Sequence, residues 1–449
     1  MGKHLLPMTR TPHSVGRRRS PRIAAVVLLA LAFAVVPARA ADADHADRGR
    51  AAGDPTVIAD WNATAMATVA ADPTKLAPDV LIYTGFVQAA VYDAVVGIAG
   101  RYQPYVYHHR GPRHASTQAA AAQAAYQILL TYVPSQKATL DAALATSLDP
   151  IPAGRAKTQG VEYGTDVANN LIRLRRNDGR NAPIFFTKPP APGVWRPTPP
   201  GFVPMLDPWY GAMTPMLVRS ATQFQPPPPP ALTSAEYTRD FDEVKAYGSV
   251  NSSARTAEQT ATALFFSGNA LVQYNTALRD QMTARHLDIV DTARMYAATN
   301  VSAVDALMTV WRAKLFYGLW RPITAITLAD TDGNPATTAD PSWLPLAVTP
   351  AYPEYSSGYN VLTAAYLGGL AKLFHTDRLN LNLTSTAVPG VVRHYDTGAA
   401  VRVDVVNARV WLGYHFRFAD IASRDLGLRL IAWTTSHFFL PVDREESDG

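Results

Sequence analysis

Apolar residues recur along most of this chain at intervals of three and four, the period of a buried or amphipathic helix. Ile58, Trp61, Ala65 and Val69 predict a helix over residues 57–71, and Phe86, Ala90, Tyr92, Val95 and Ile98 a second over 80–99. An alanine-rich stretch, with Gln118 and Gln123 among its few polar positions, predicts a third over 116–133. A polar-faced helix follows over 153–176, stopped by Asn177-Asp178-Gly179. Thr233 or Ser234, with Glu236 just inside, caps a helix over 234–247. Further helices are expected over 256–266 and 270–285, a long one over 288–320, and then 357–374, 402–415 and 421–439. Strand signals are few, strands do not alternate with helices, and no repeat has a fixed period. The pattern predicts an all-α fold of long helices in one or two packed bundles.

One stretch breaks the helical period. Residues 182–232 hold Pro183, Pro189, Pro190, Pro192, Pro197, Pro199, Pro200 and the run Pro226 to Pro230, which regular helix does not tolerate. Trp195, Phe202, Trp209, Tyr210 and Phe224 are spread through it, so it is expected to wrap over the helices as an arm. The chain then divides into an N-terminal helical part over 55–181, the proline-rich arm over 182–232, and a C-terminal bundle over 233–449.

The opening residues follow another rule. Arg17-Arg18-Arg19 and Arg22 form a basic stretch, 23–36 is apolar, and Ala38-Arg39-Ala40 is a small-x-small cleavage site. Residues 1–40 read as an export signal with Ala41 the mature start, and 41–54 as a flexible leader. The apolar run is short for a membrane span, and the paired arginines permit a twin-arginine route. The signal carries seven Lys/Arg and no Asp/Glu, so its removal takes the formal charge from +5 to −2. That balance leaves no electrostatic case for nucleic acid as a partner. With 449 residues and 48% hydrophobic content the chain has enough material for a large core. It has no cysteine, which excludes disulfides, thiolate metal sites and a cysteine nucleophile.

Candidate chemistry lies between Trp311 and Phe416. Lys314 is followed by Arg321-Pro322, then come Ser356-Ser357-Gly358-Tyr359, then Arg409 followed by His415. Arginine offers an oxyanion a planar fork and lysine a compact charge. A Ser-Ser-Gly turn at a helix start offers backbone N–H groups that little side chain obstructs. Histidine attacks phosphorus or ligates a metal. Lys314 and Arg321 are spaced to share a face of one helix, with Pro322 ending it and Trp311, Phe316 and Trp320 keeping the pair dry. Arg409 and His415 cannot share a face of one straight helix, which places His415 where the helix ends, near Gly413-Tyr414. Asp404 and Asp420 are candidate partners for these cations, or surface ion pairs. Asp93, inside an apolar run, reads as a buried structural carboxylate before it reads as a site residue. Arg196 reads as a surface ion pair or as a further cation for the pocket.

Together these pieces resemble the signature of the vanadium-dependent haloperoxidase and type 2 phosphatidic acid phosphatase superfamily, in particular its bacterial haloperoxidase-like branch. That signature reads Lys-x6-Arg-Pro, Pro-Ser-Gly-His and Ser-Arg-x5-His. The resemblance implies a mainly helical fold with the anion site in a bundle core. It implies that vanadate, or phosphate in the same pocket, is held by Lys314, Arg321, Ser357, Gly358 and Arg409. His415 would be the residue bonded to vanadium, or in a phosphatase the nucleophile toward a phosphate ester. The partners implied are halide and hydrogen peroxide. One position departs: the family's acid/base histidine is Tyr359 here. A phenol, with a pKa near 10 against about 6.5 for imidazole, donates a hydrogen bond but shuttles protons poorly near neutrality. The alternatives implied are an acid phosphatase in the same pocket, and an oxyanion-binding protein without turnover.

Overall fold

The computed structural model describes residues 53–442. The expected export signal and most of the leader lie outside the described residues. The helices are α1 (Thr56–Ala71), α2 (Ala77–Ala99), α3 (Thr117–Tyr132), α4 (Lys137–Leu148), α5 (Arg155–Leu174), α6 (Ala235–Tyr247), α7 (Ala257–Phe265), α8 (Ala270–Ala284), α9 (Ile289–Tyr317), α10 (Pro322–Thr327), α11 (Gly358–Leu373), α12 (Gly398–Trp411) and α13 (Arg417–His437). Strands β1 (Arg378–Thr384) and β2 (Val392–Thr397) pair antiparallel between α11 and α12, with Leu381 opposite Tyr395. The fold is helical, as the periodicity requires.

The central element is α9. Asp288 caps it by accepting the Val290 and Asp291 N–H groups at 3.0 and 2.9 Å. It is buried along almost its whole length, with α2 against one side and α11 and α13 against another. Close approach needs small residues: a Cβ on Gly85 would meet Val304 at 2.5 Å, and one on Gly369 would meet Thr299 at 2.9 Å. Among the described residues only α2 is long and apolar enough to cross a membrane, and it is buried inside the bundle. Asp93, on α2, accepts the Tyr105, Val106 and Tyr107 N–H groups, so it anchors a loop and lies apart from the site chemistry.

Residues 182–232 contain no α-helix, only a 3-10 turn at Pro208–Ala212. They lie along α9. Asp305, fully buried on that helix, accepts the N–H groups of Met216, Leu217 and Val218 at 2.7–2.8 Å. The Trp311 indole donates to Leu206 O at 3.1 Å, and the Tyr210 hydroxyl donates to Val304 O at 3.0 Å.

Several expected boundaries move. The long helix stops at Tyr317, three residues short of Trp320, because Gly318 takes a left-handed conformation with φ 65°. The helix expected over 402–415 runs over Gly398–Trp411, capped by Thr397, and the last helix starts at Arg417 rather than at 421. Helix α4 was not expected at all: Lys137–Leu148 buries only Leu140, so its apolar period is weak. The β hairpin was also missed, although Leu379, Leu381 and Leu383 alternate with polar residues and all three are buried.

Candidate active site

Four separate segments bring the three sequence clusters together. Lys314 comes from the last turn of α9, and Arg321 from the cap of α10. Glu354 to Gly358 lead into α11, and Arg409 and His415 lie at and beyond the end of α12. The expectation that Lys314 and Arg321 share one helical face is wrong. Gly318 ends α9, and Pro322 holds Arg321 extended at φ −77°, ψ 156°. The cation turns back toward Lys314 across that break. Both residues are 0% exposed. Trp311 and Trp320 are buried beside them, whereas Phe316 is 53% exposed and faces away.

The cations are anchored by backbone carbonyls. Lys314 Nζ donates to Pro353 O at 2.7 Å and to Glu354 O at 3.0 Å. Arg321 Nε donates to Tyr352 O at 2.8 Å and Nη1 to Tyr414 O at 2.9 Å. Arg409 Nη1 donates to Phe266 O at 3.1 Å. Its guanidinium lies over two rings, 4.8 Å from the centre of Tyr359 and 4.7 Å from that of Tyr414.

His415 sits in the linker between α12 and α13, past Gly413 at φ 76°. A carboxylate that sequence reasoning did not single out fixes its ring. Glu354 Oε1 lies 3.0 Å from His415 Nδ1 and accepts the Phe416 N–H at 3.0 Å. An acceptor at Nδ1 selects the tautomer with hydrogen there, leaving the Nε2 lone pair toward Arg321 Nη1, 3.3 Å away. Glu354 had one sequence signal: it is the lone charge in the stretch Pro353 to Gly358.

Burial weighs on every charge in this cluster. Burial, then the Arg321 charge, pushes the Lys314 ammonium well below its ordinary value. Burial, then Arg321, Lys314 and Arg409, holds the His415 imidazole well below 6.5, so the ring is neutral. Burial raises Glu354 to about 8 against the pull of Arg321 and Lys314. It raises Asp420 to about 8 as well, against Ser357 and Arg409. Buried donors also lack partners: Arg321 Nη2, Arg409 Nε and Ser356 Oγ. Buried cations and unsatisfied donors are costly unless an anion answers them. Ser357 precedes α11 without using its side chain to cap the helix, so the N–H groups at this helix start favour an anion. The donor set therefore fits a tetrahedral oxyanion such as vanadate or phosphate.

Three expectations need correction. The Tyr359 hydroxyl is not directed to an oxyanion; it donates to Gln273 Oε1 at 2.9 Å, because the ring is turned to lie beneath Arg409. Asp404 accepts from the Tyr395 hydroxyl and pairs with none of the three cations. Arg196 donates to Ala191 O at 3.3 Å and lines a groove of about 250 Å³ on the arm with Phe185, Phe186, Lys188 and Trp195.

Comparison with known proteins points the same way. Residues 294–440, which hold every cluster residue, match the VCPO second helical-bundle domain. Vanadium chloroperoxidase of Curvularia inaequalis is 24% identical over 365 residues, covering 62% of this chain and 59% of that protein, so the chain spans less than two thirds of that relative's length. A solved bacterial vanadium-dependent iodoperoxidase superposes with a TM-score of 0.74 at 21% identity, covering 87% of this chain and 98% of that one. A holo-type bacterial vanadium-dependent chloroperoxidase gives 0.63 at 18% identity, covering 80% and 91%. In its fold, and in the second bundle that carries the cationic cluster, the chain is similar to vanadium-dependent haloperoxidases.

Proposed function

We propose that the protein is an exported haloperoxidase that binds vanadate in this cluster and uses hydrogen peroxide to oxidise halide. The observation that carries the reading is the neutral His415, its Nδ1 held by Glu354 and its Nε2 presented among buried cations whose donors lack partners. Lys314, Arg321, Arg409, Ser357 and Gly358 would hold the oxygens, and His415 Nε2 would be the ligand to the metal. Bound vanadate supplies a Lewis-acidic centre that activates peroxide toward halide.

The chain's own residues set up that chemistry. Pairing with a dianion returns Lys314 toward its charged form, since an opposite charge favours the ammonium. Glu354 holds the histidine tautomer through the cycle. The walls of Trp311, Trp320 and Tyr355, all buried, exclude water and strengthen each charge–charge contact. Iodide gives up electrons most readily of the halides and should be oxidised fastest.

The test pairs two assays on the mature protein. One measures iodide, bromide and chloride oxidation with vanadate and peroxide; the other measures phosphate-ester hydrolysis without them. Vanadate-dependent halide oxidation that Arg409→Ala and His415→Ala both abolish supports the proposal. Hydrolysis alone would make His415 a phosphorus nucleophile. Vanadate binding without either turnover would make the protein an oxyanion binder.

A further inference from the structure

The site holds a buried acid that the reading above does not use. Asp420, in the first turn of α13, is fully buried. Asn360 Nδ2 donates to its Oδ1 at 2.8 Å and also reaches Ser357 Oγ at 3.3 Å. The Ser357 hydroxyl lies against the carboxyl, yet Oδ2 completes no hydrogen bond of good geometry. An ionised carboxylate would leave a buried charged oxygen unanswered, at high cost. A proton on Oδ2 resolves this: Oδ2 becomes a donor, and the Ser357 hydroxyl beside the carboxyl is an oxygen that can accept. Asn360 fixes both partners.

Position 359, where the family places its acid/base histidine, is closed to this task, because the Tyr359 hydroxyl is committed to Gln273. We propose that Asp420, acting through Ser357, is the proton source for the oxyanion site, a positioning and relay role that replaces the missing imidazole. The inference rests on the oxyanion reading of the cluster. The relay conserves protons. Asp420 Oδ2–H passes its proton to Ser357 Oγ as the Ser357 hydroxyl proton moves to an oxygen of the bound anion, or to a peroxide oxygen beside it. Asp420 is left as a carboxylate that Asn360 stabilises, and it recovers its proton from solvent between turnovers.

The groups facing Asp420 bear on its titration. They are Ser357 and Asn360 from α11, Arg409 from α12 and Arg417 from its own helix. Glu354, ahead of α11, and Lys314 on α9 also act on it. Burial outweighs the cations, so the acid keeps its proton up to about pH 8.

The experiment combines infrared spectroscopy with kinetics on the mature chain. Anion-free wild type at neutral pH should show protonated-carboxyl absorption, part of which Asp420→Asn removes. Ser357→Ala should keep that absorption but move its pH midpoint, a response that a merely structural Asp420 would not give. Turnover in Asp420→Asn should fall about 10²-fold or more, the scale of general acid–base help, and should lose the decline expected of wild type above about pH 8. Sulfate affinity should stay within about threefold, since a neutral amide replaces a neutral acid. Should Asp420→Asn fail to fold, Ser357→Ala carries the same kinetic prediction. Absent protonated absorption, an unmoved midpoint in Ser357→Ala, or an unchanged pH profile in a folded Asp420→Asn would overturn the relay. If wild type oxidises no halide, the proposed function falls while the infrared midpoint still decides the role of Asp420.

Discussion

Individual residues in this site are set by desolvation more than by pairing. Glu354 shows it: with Arg321 and Lys314 as neighbours, it still titrates at about 8 because it is buried. Its folded value lies above its unfolded one, so the stability it contributes is complete below about pH 4.5 and is lost as pH rises through about 8. The same ionisation puts a negative charge beside the proposed anion pocket. Glu354→Gln should bind sulfate as wild type does below about pH 7, and roughly three- to tenfold more tightly above about pH 9, by calorimetry. Equal affinity at both ends would mean that Glu354 does not titrate in this range. Tyr359 makes a second case. Its hydroxyl serves Gln273, which is itself buried, and its ring serves Arg409. Tyr359→Phe should lose about 1–2 kcal/mol of stability in urea unfolding, the cost of an orphaned buried acceptor. Its sulfate affinity should hold, since the ring remains. A large loss of affinity with unchanged stability would place the hydroxyl at the anion.

Secondary-structure elements matter here chiefly where they stop. Helix α9 carries Lys314 in its last turn, and Gly318 then reverses the chain so that Arg321 approaches from another side. A Cβ at Gly318 would need an unfavourable left-handed backbone and would meet the Phe186 ring at 2.9 Å. The arm is tied to the same helix by a side chain far from the chemistry. Asp305 answers three N–H groups of residues 216–218. Asp305→Ala would leave those donors buried and unpaired, a loss of about 3–5 kcal/mol. Limited proteolysis of that variant should cut first within 182–232. Wild-type resistance there would show that Trp311 and Tyr210 hold the arm without Asp305.

For the whole molecule, the candidate site depends on folding of the C-terminal half, since its parts come from the ends of α9 and α12 and the starts of α10 and α11. The N-terminal helices contribute by packing α2 against α9. Export is proposed from Ala38-Arg39-Ala40 after an apolar run. Mass spectrometry of secreted protein should find a chain beginning at or near Ala41, and an intact Met1 on the exported protein would refute cleavage.

The sequence by itself determined the helical class, because a 3.6-residue period is written directly in the spacing of apolar residues. Its motifs Lys-x6-Arg-Pro, Ser-Ser-Gly and Arg-x5-His named candidate site residues through their resemblance to a family signature. That Arg409 and His415 do not share a helical face followed from the 100° turn per residue, whereas the end of that helix at Trp411 was decided by the fold. Tertiary structure alone decided what these groups do to one another. Glu354 is an ordinary glutamate until folding places it 3.0 Å from His415 Nδ1. Asp420 is an ordinary helix-start acid until Asn360, 60 positions earlier, donates to it. The Tyr359 hydroxyl is an unassigned donor until folding brings it to Gln273, 86 positions away. Hydrogen-bond partners and burial depend on residues distant in sequence, and a periodic pattern records which face is buried but not what that face meets.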